Sequence, residues 1–169
     1  MEIAPYVCFI LPPSFKKESY QRRLGISPIA VIELNDTQYR VGDIKIDVPS
    51  SFFVFDKHNK FVEEKIDFDK LPFVFLSKSD ANKADFTIRR VGGTSGTANK
   101  RTDVSKQSNY FCSANWSNTR STRLQSCVLH MINEIDFPER DWSVGPRSLS
   151  QREIAKRILK SMESEYTVF

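Results

Sequence analysis

Histidine is scarce in this chain: His58 and His130 are the only two in 169 residues. A nucleophilic serine or cysteine needs a base within hydrogen-bond reach, and neither histidine stands in a nucleophile elbow or a catalytic-cysteine context. Acyl-transfer chemistry therefore has little support in the sequence. Cysteine is nearly as rare. Cys8, Cys112 and Cys127 are odd in number and widely spaced, so no disulfide framework is written here. No charged-then-apolar leader precedes a small-residue cleavage site, and the expectation is of free thiols in an intracellular, reducing setting, cytoplasmic or nuclear. Cys127 and His130 lie one helical turn apart, but a closed zinc site takes four ligands and no second paired spacing exists. No metal and no cofactor is expected.

Long apolar runs are missing as well. Stretches such as "SFFVF" and "FVFL" fall far below the roughly 18 to 20 residues that cross a bilayer as a helix, so no membrane insertion is expected. The triplets Asn35-Asp36-Thr37 and Asn115-Trp116-Ser117 match the glycosylation sequon, which has no use without secretion. Only six glycines occur, three of them within "VGGTSG". A Walker-type phosphate loop needs Lys and Ser or Thr directly after its last Gly. Here Gly96 is followed by Thr97, and Lys100 comes too late. A dinucleotide fingerprint must open a helix, whereas Gly92, Gly93 and Gly96 lead into polar residues without apolar periodicity. Both nucleotide motifs fail.

What the chain has is phenylalanine and short apolar alternation. "DIKIDV" sets Ile44, Ile46 and Val48 on one face and Asp43, Lys45 and Asp47 on the other, the period of a half-buried strand. "APYVCFIL", "ISPIAVIEL", "SFFVF", "KFVEEKIDF", "LPFVFL" and "ADFTIRRV" read as further strands. Pro12 and Pro13 stop the first of them. "ELNDTQY" and "FDKHNKF" supply Asn and Asp for hairpin turns. Farther on, "STRLQSCVLHMINEI" places Leu124, Cys127, Val128, Met131, Ile132 and Ile135 at helical spacing. "SLSQREIAKRILKSMESEY" opens with Ser150 and Glu153 in capping-box spacing and carries Ile154, Ile158, Leu159 and Met162 along one stripe. The expected fold is α+β: a mainly antiparallel sheet over residues 4–91, with a strand near 109–114, covered by two C-terminal amphipathic helices. The expected organisation is a single domain, 1–169, with 92–109 as a flexible basic loop.

The net charge of +4 is unevenly spread. Residues 91–124 hold five basic side chains against one acidic, while the segments on either side are nearly balanced. Lys100, Arg101 and Lys106 stand in the polar loop. Just beyond it, "NYFCSANWSNTRSTR" interleaves Tyr110, Phe111 and Trp116 with Arg120 and Arg123, the mixture that stacks on bases while holding phosphates. Within the same stretch, Tyr110 and Cys112 also read as the inward residues of a strand. On the last helix Arg152, Lys156 and Lys160 form a basic stripe, diluted by Glu153, Glu163 and Glu165.

A third pattern is enzymatic. Asp56 followed by Glu63, Glu64 and Lys65 resembles the PD-(D/E)XK nuclease motif over about ten residues, with Phe55 standing where that motif has Pro. The resemblance implies that two carboxylates hold Mg²⁺ and that the lysine assists the attacking water. A hairpin turn at "DKHNK" accounts for Asp56, His58 and Asn59 without chemistry.

Three readings follow. The first is a non-catalytic binding module for nucleic acid, single-stranded or RNA, using Lys100, Arg101, Lys106, Tyr110, Trp116, Arg120, Arg123, Arg152, Lys156 and Lys160. The second is a protein-interaction or self-assembly subunit, meeting an acidic protein surface, a second copy or a larger assembly. The third is the metal-dependent nuclease. The first two part on exposure: basic and aromatic groups together for the first, a contiguous apolar patch of roughly several hundred Å² for the second.

Overall fold

A computed structural model describes residues 4–34, 38–114, 122–142 and 146–166; the side chains of residues 122–125, 140, 165 and 166 lie outside the description. The described residues group into two compact units, Met1–Glu64 with Trp142–Val144, and Lys65–Asp141 with Gly145–Phe169. The class is α+β, and among the described residues every strand pair is antiparallel. The strands are divided among three sheets rather than gathered in one.

The first unit contains β1 (Tyr6–Leu11), α1 (Glu18–Leu24), β2 (Ile26–Leu34), β3 (Gln38–Val41), β4 (Ile44–Asp47) and β5 (Ser50–Lys60). β5 is the middle strand of the order β1-β5-β2, while β3 and β4 form a separate hairpin. Gly42, at φ +61°, turns that hairpin, in a conformation that costs a residue with a side chain more than it costs glycine. β1 stops at Leu11, before Pro12 and Pro13, as the prolines require.

Two expectations fail here. Residues 56–60 continue β5 instead of turning, because β1 and β2 supply partners along its length, Tyr6 opposite Asp56 and Ile26 opposite Lys60. "KFVEEKIDF" forms no strand beyond Lys60, and Glu63 there pairs with Arg22 at 3.0 Å. Local turn propensity loses to partner strands in the first case, and a charge-rich stretch without a partner strand stays irregular in the second.

The second unit contains β6 (Phe73–Phe75), β7 (Phe86–Arg89), β8 (Ala98–Asn99), β9 (Asn109–Ala114), α2 (Thr122–Glu134) and α3 (Gln151–Tyr166). The sheet order is β6-β9-β7-β8, so β9, inside the sheet, buries residues on both faces, Phe111 and Cys112 among them. α2 and α3 place Leu129, Ile132, Ile154 and Ile158 in one buried cluster with Phe73, Phe86 and Ile88. Each such burial contributes about 1.5–3 kcal/mol. The capping box forms as the spacing predicts: the Ser150 backbone N–H donates to Glu153 Oε2 at 2.6 Å, and the Glu153 N–H donates to Ser150 Oγ at 3.2 Å.

The polar segment 92–109 carries β8, which the sequence does not announce. Asn133 on α2 treats β8 as a neighbouring strand would. Its Oδ1 accepts from the Ala98 N–H at 2.7 Å and its Nδ2 donates to the Ala98 carbonyl at 3.2 Å. Gly96, at φ +98°, lies against the Phe137 ring.

Candidate functional site

Residues paired across an antiparallel sheet share a face, so the register of the first unit sorts its side chains. On one face of β1-β5-β2, Phe9, Phe53 and Val31 form a row. Phe15 covers that face, edge-on to Phe53 at 6.3 Å and stacked on Tyr20 at 5.0 Å. The opposite face carries the rows Cys8–Val54–Ala30 and Ile10–Phe52–Ile32. Among the described residues this face is open at the outer strands, where Ile10 is 55% exposed and Ile32 58%, with Phe52 and Val54 between them half-buried.

The hairpin repeats the pattern. Tyr39 opposite Ile46 and Val41 opposite Ile44 make an apolar face, with Gln38, Asp47, Arg40 and Lys45 on the other. The alternation predicted for "DIKIDV" is present, but the predicted half-burial is not, since Ile44 is 67% exposed and Val41 64%. Among the described residues, 13 of the 14 large apolar side chains left exposed belong to this unit, Val74 being the exception. Two-stranded hairpins are marginal in water by themselves.

The cations predicted for the nucleic-acid site lie in the second unit. Lys100 is exposed and donates to Ser126 Oγ at 3.3 Å. Arg101 makes two hydrogen bonds to Asp103, at 3.0 and 2.9 Å, and its guanidinium holds the Asp103 carboxyl below its usual range. Lys106 is exposed.

Tyr110 is half-buried. Its hydroxyl donates to the Leu149 carbonyl at 3.1 Å, Arg90 stands 5.2 Å over its ring, and Phe75 meets the ring edge-on at 5.6 Å. Burial pushes its phenol above the ordinary value. The Tyr110 ring is thus engaged by neighbours within the unit rather than set out as a stacking platform. Trp116 and Arg120 lie outside the described residues, as does the Arg123 side chain; both glycosylation triplets fall outside in whole or in part.

On α3, Arg152 is half-buried while Lys156 and Lys160 are exposed. Lys160 also borders a groove of about 570 Å³ between α2 and α3, together with His130, Met131, Glu134, Asp136 and Arg157. Its charges are of both signs: His130 sits 3.7 Å from Glu134, and Arg157 pairs with Glu139 at 2.6 Å.

The nuclease-like residues have structural company of their own. Asp56 Oδ1 accepts from the His58 N–H at 2.8 Å, Glu63 is paired with Arg22, and Lys65 is exposed outside any strand. Among the described residues, no cluster of three or more His, Cys, Asp or Glu side chains is arranged to hold a metal ion, and no helix is long and apolar enough to cross a membrane. All three cysteines are unpaired, Cys8 and Cys127 exposed and Cys112 buried.

The partly open sheet face is the feature sequence reasoning missed. Its signal is the lack of alternation in "VCFIL" and "IAVI", which are apolar at successive positions as in strands with something on both faces. Compared with family models, curated proteins and solved structures, the chain has no significant match.

Proposed function

We propose that this protein is a non-catalytic interaction module that associates with another protein chain through the apolar strands of its first unit. The observation that carries this reading is the concentration of exposed large apolar side chains there, on the rows through Ile10 and Ile32 and on the hairpin face through Val41 and Ile44. Burying a fully exposed side chain of this kind contributes about 1.5–3 kcal/mol, so several of them meeting a partner are needed to outweigh an association cost of about 4–15 kcal/mol.

The test compares the immobilised wild-type chain with an Ile32→Lys/Ile44→Lys variant in nuclease-treated extract. Both positions are solvent-facing, so the variant is expected to keep its circular dichroism spectrum and lose the proteins retained by wild type. Equal retention by the two contradicts the reading.

A second reading, nucleic-acid binding, rests on the division of charge. The second unit holds 17 basic and 12 acidic residues, and the first holds 8 and 9. Exposed Lys100, Lys106, Lys156 and Lys160 would then neutralise a phosphate backbone. Fluorescence polarisation with single-stranded RNA at two salt concentrations, beside an Arg120→Ala/Arg123→Ala variant, tests it. Binding that weakens with salt and in the variant supports this reading, and no binding at low salt removes it.

A further inference from the structure

The sheet β1-β5-β2 has two edges, and they are not treated alike. β2 carries the devices that blunt an edge. Pro28 lacks an N–H, the pairing with β5 shifts on both sides of it, and Glu33 places a charge near the end of the strand, where Lys16 pairs with it. β1 carries none of them. "YVCFIL" has no charged residue and no proline, its register with β5 runs unbroken over six pairs, and Tyr6, Cys8, Phe9 and Ile10 are exposed. Among the described residues no strand pairs with its outer side.

The hydrogen-bond phase of that edge follows from one contact. The Lys57 N–H donates to the Pro5 carbonyl at 3.1 Å. In an antiparallel ladder, bonded and non-bonded pairs alternate, so Val7, Phe9 and Leu11 turn their backbone groups toward β5. Tyr6, Cys8 and Ile10 turn theirs outward.

Resting on the interaction-module reading, we propose that this edge pairs with β1 of a second copy of the chain, antiparallel, about a two-fold axis at Cys8. That register sets Tyr6 against Ile10 of the second copy, Cys8 against Cys8, and Ile10 against Tyr6, so every outward backbone group meets an outward group. A strand without charge brings no like charges together when it meets itself, the condition a self-complementary interface must satisfy. The two sheets become one of six strands with a blunted β2 at each end, and growth stops at the dimer.

Two copies of Cys8 in a hydrogen-bonded pair have Cα atoms about 5.5 Å apart and Cβ atoms about as far, beyond the roughly 3.5–4.5 Å of a disulfide but within reach of a short bis-maleimide linker. The test therefore uses the full chain in a Cys127→Ser background. Light scattering across concentrations up to about 100 µM is expected to give a dimer mass, and a short bis-maleimide linker a Cys8–Cys8 crosslinked peptide by mass spectrometry. Cys8→Pro removes an N–H that β5 does not use, and Ile10→Lys adds a charge at an exposed site. Each is expected to raise the dimer dissociation constant at least tenfold without changing the circular dichroism spectrum. A wild type that stays monomeric, a mass that climbs past the dimer, or a dimer untouched by both substitutions and lacking the Cys8 link overturns the proposal. If the monomer nonetheless retains other proteins and the Ile32→Lys/Ile44→Lys variant does not, the pairing fails while the interaction module stands. If neither association occurs, both fall.

Discussion

At the scale of single residues, the core of the second unit makes claims that side-chain chemistry can check. Cys112 is fully buried on β9, and burial pushes its thiol far above its ordinary value near 9. Iodoacetamide at about pH 8 is expected to label Cys8 and Cys127 in the native protein and to spare Cys112 until urea is added. Labelling of all three at similar rates would refute the placement of β9. The sign of the pH effect follows from the same burial. Above pH 9 the unfolded thiol ionises and the folded one does not, so Cys112 contributes a fall in stability as pH rises through that range. Gly96 is the second check. A Cβ built there would stand 2.5 Å from Phe137 Cδ2, at a φ of +98° that side chains avoid, whereas one at Gly93 would meet nothing within 4 Å. Gly96→Ala should destabilise by about 2–4 kcal/mol in urea titration, and Gly93→Ala by under about 1 kcal/mol. Equal losses would contradict the packing of this segment on Phe137.

At the scale of elements, α2 and β8 are joined by the Asn133 side chain, which supplies one donor and one acceptor to Ala98. Asn133→Ala leaves that buried backbone pair unmet and is expected to cost about 1–3 kcal/mol, read by thermal unfolding; an unchanged Tm would mean that β8 needs no such support. Ser150→Ala, which breaks the reciprocal cap of α3, should cost about 1 kcal/mol. The cap was legible in the sequence because it is local: two residues three apart carry the whole signal. The strands β1, β2, β4, β6, β7 and β9, the first half of β5 and both C-terminal helices were legible for the same reason, since apolar period and flanking prolines are local facts. What failed was set by partners distant in sequence. Residues 56–60 look like a turn until Tyr6 and Ile26 are known to lie opposite. β8 has only two residues and a partner on α2. The unbroken apolar runs "VCFIL" and "IAVI" mark strands with two apolar faces, but which of Ile10, Ile32 and Ile44 end up exposed depends on packing that no local pattern encodes. Of the candidate site, the cations were legible as a composition, yet their pairing was not: Arg101 with Asp103 and Tyr110 with Leu149, Phe75 and Arg90 are bonds that composition does not display.

At the scale of the molecule, two properties divide between the two units. Exposed apolar side chains gather in the first, and the basic surplus in the second, 17 basic to 12 acidic residues against 8 to 9. The central claim, that the apolar surface of the first unit is what the protein uses, gives a physical signature unlike that of a phosphate-binding surface. Apolar burial is held or strengthened by excluded salts such as sulfate, while neutralising a polyanion loses affinity steeply as salt rises. The most direct measurement is therefore the affinity of the chain for a protein that it retains from extract, at about 50 and about 500 mM salt with the second unit's cations intact. The account predicts a change of less than about threefold across that range, and loss of the association in the Ile32→Lys/Ile44→Lys variant at both salts. A fall of tens of fold with salt, together with indifference to the two substitutions, would contradict it and hand the function to the basic unit.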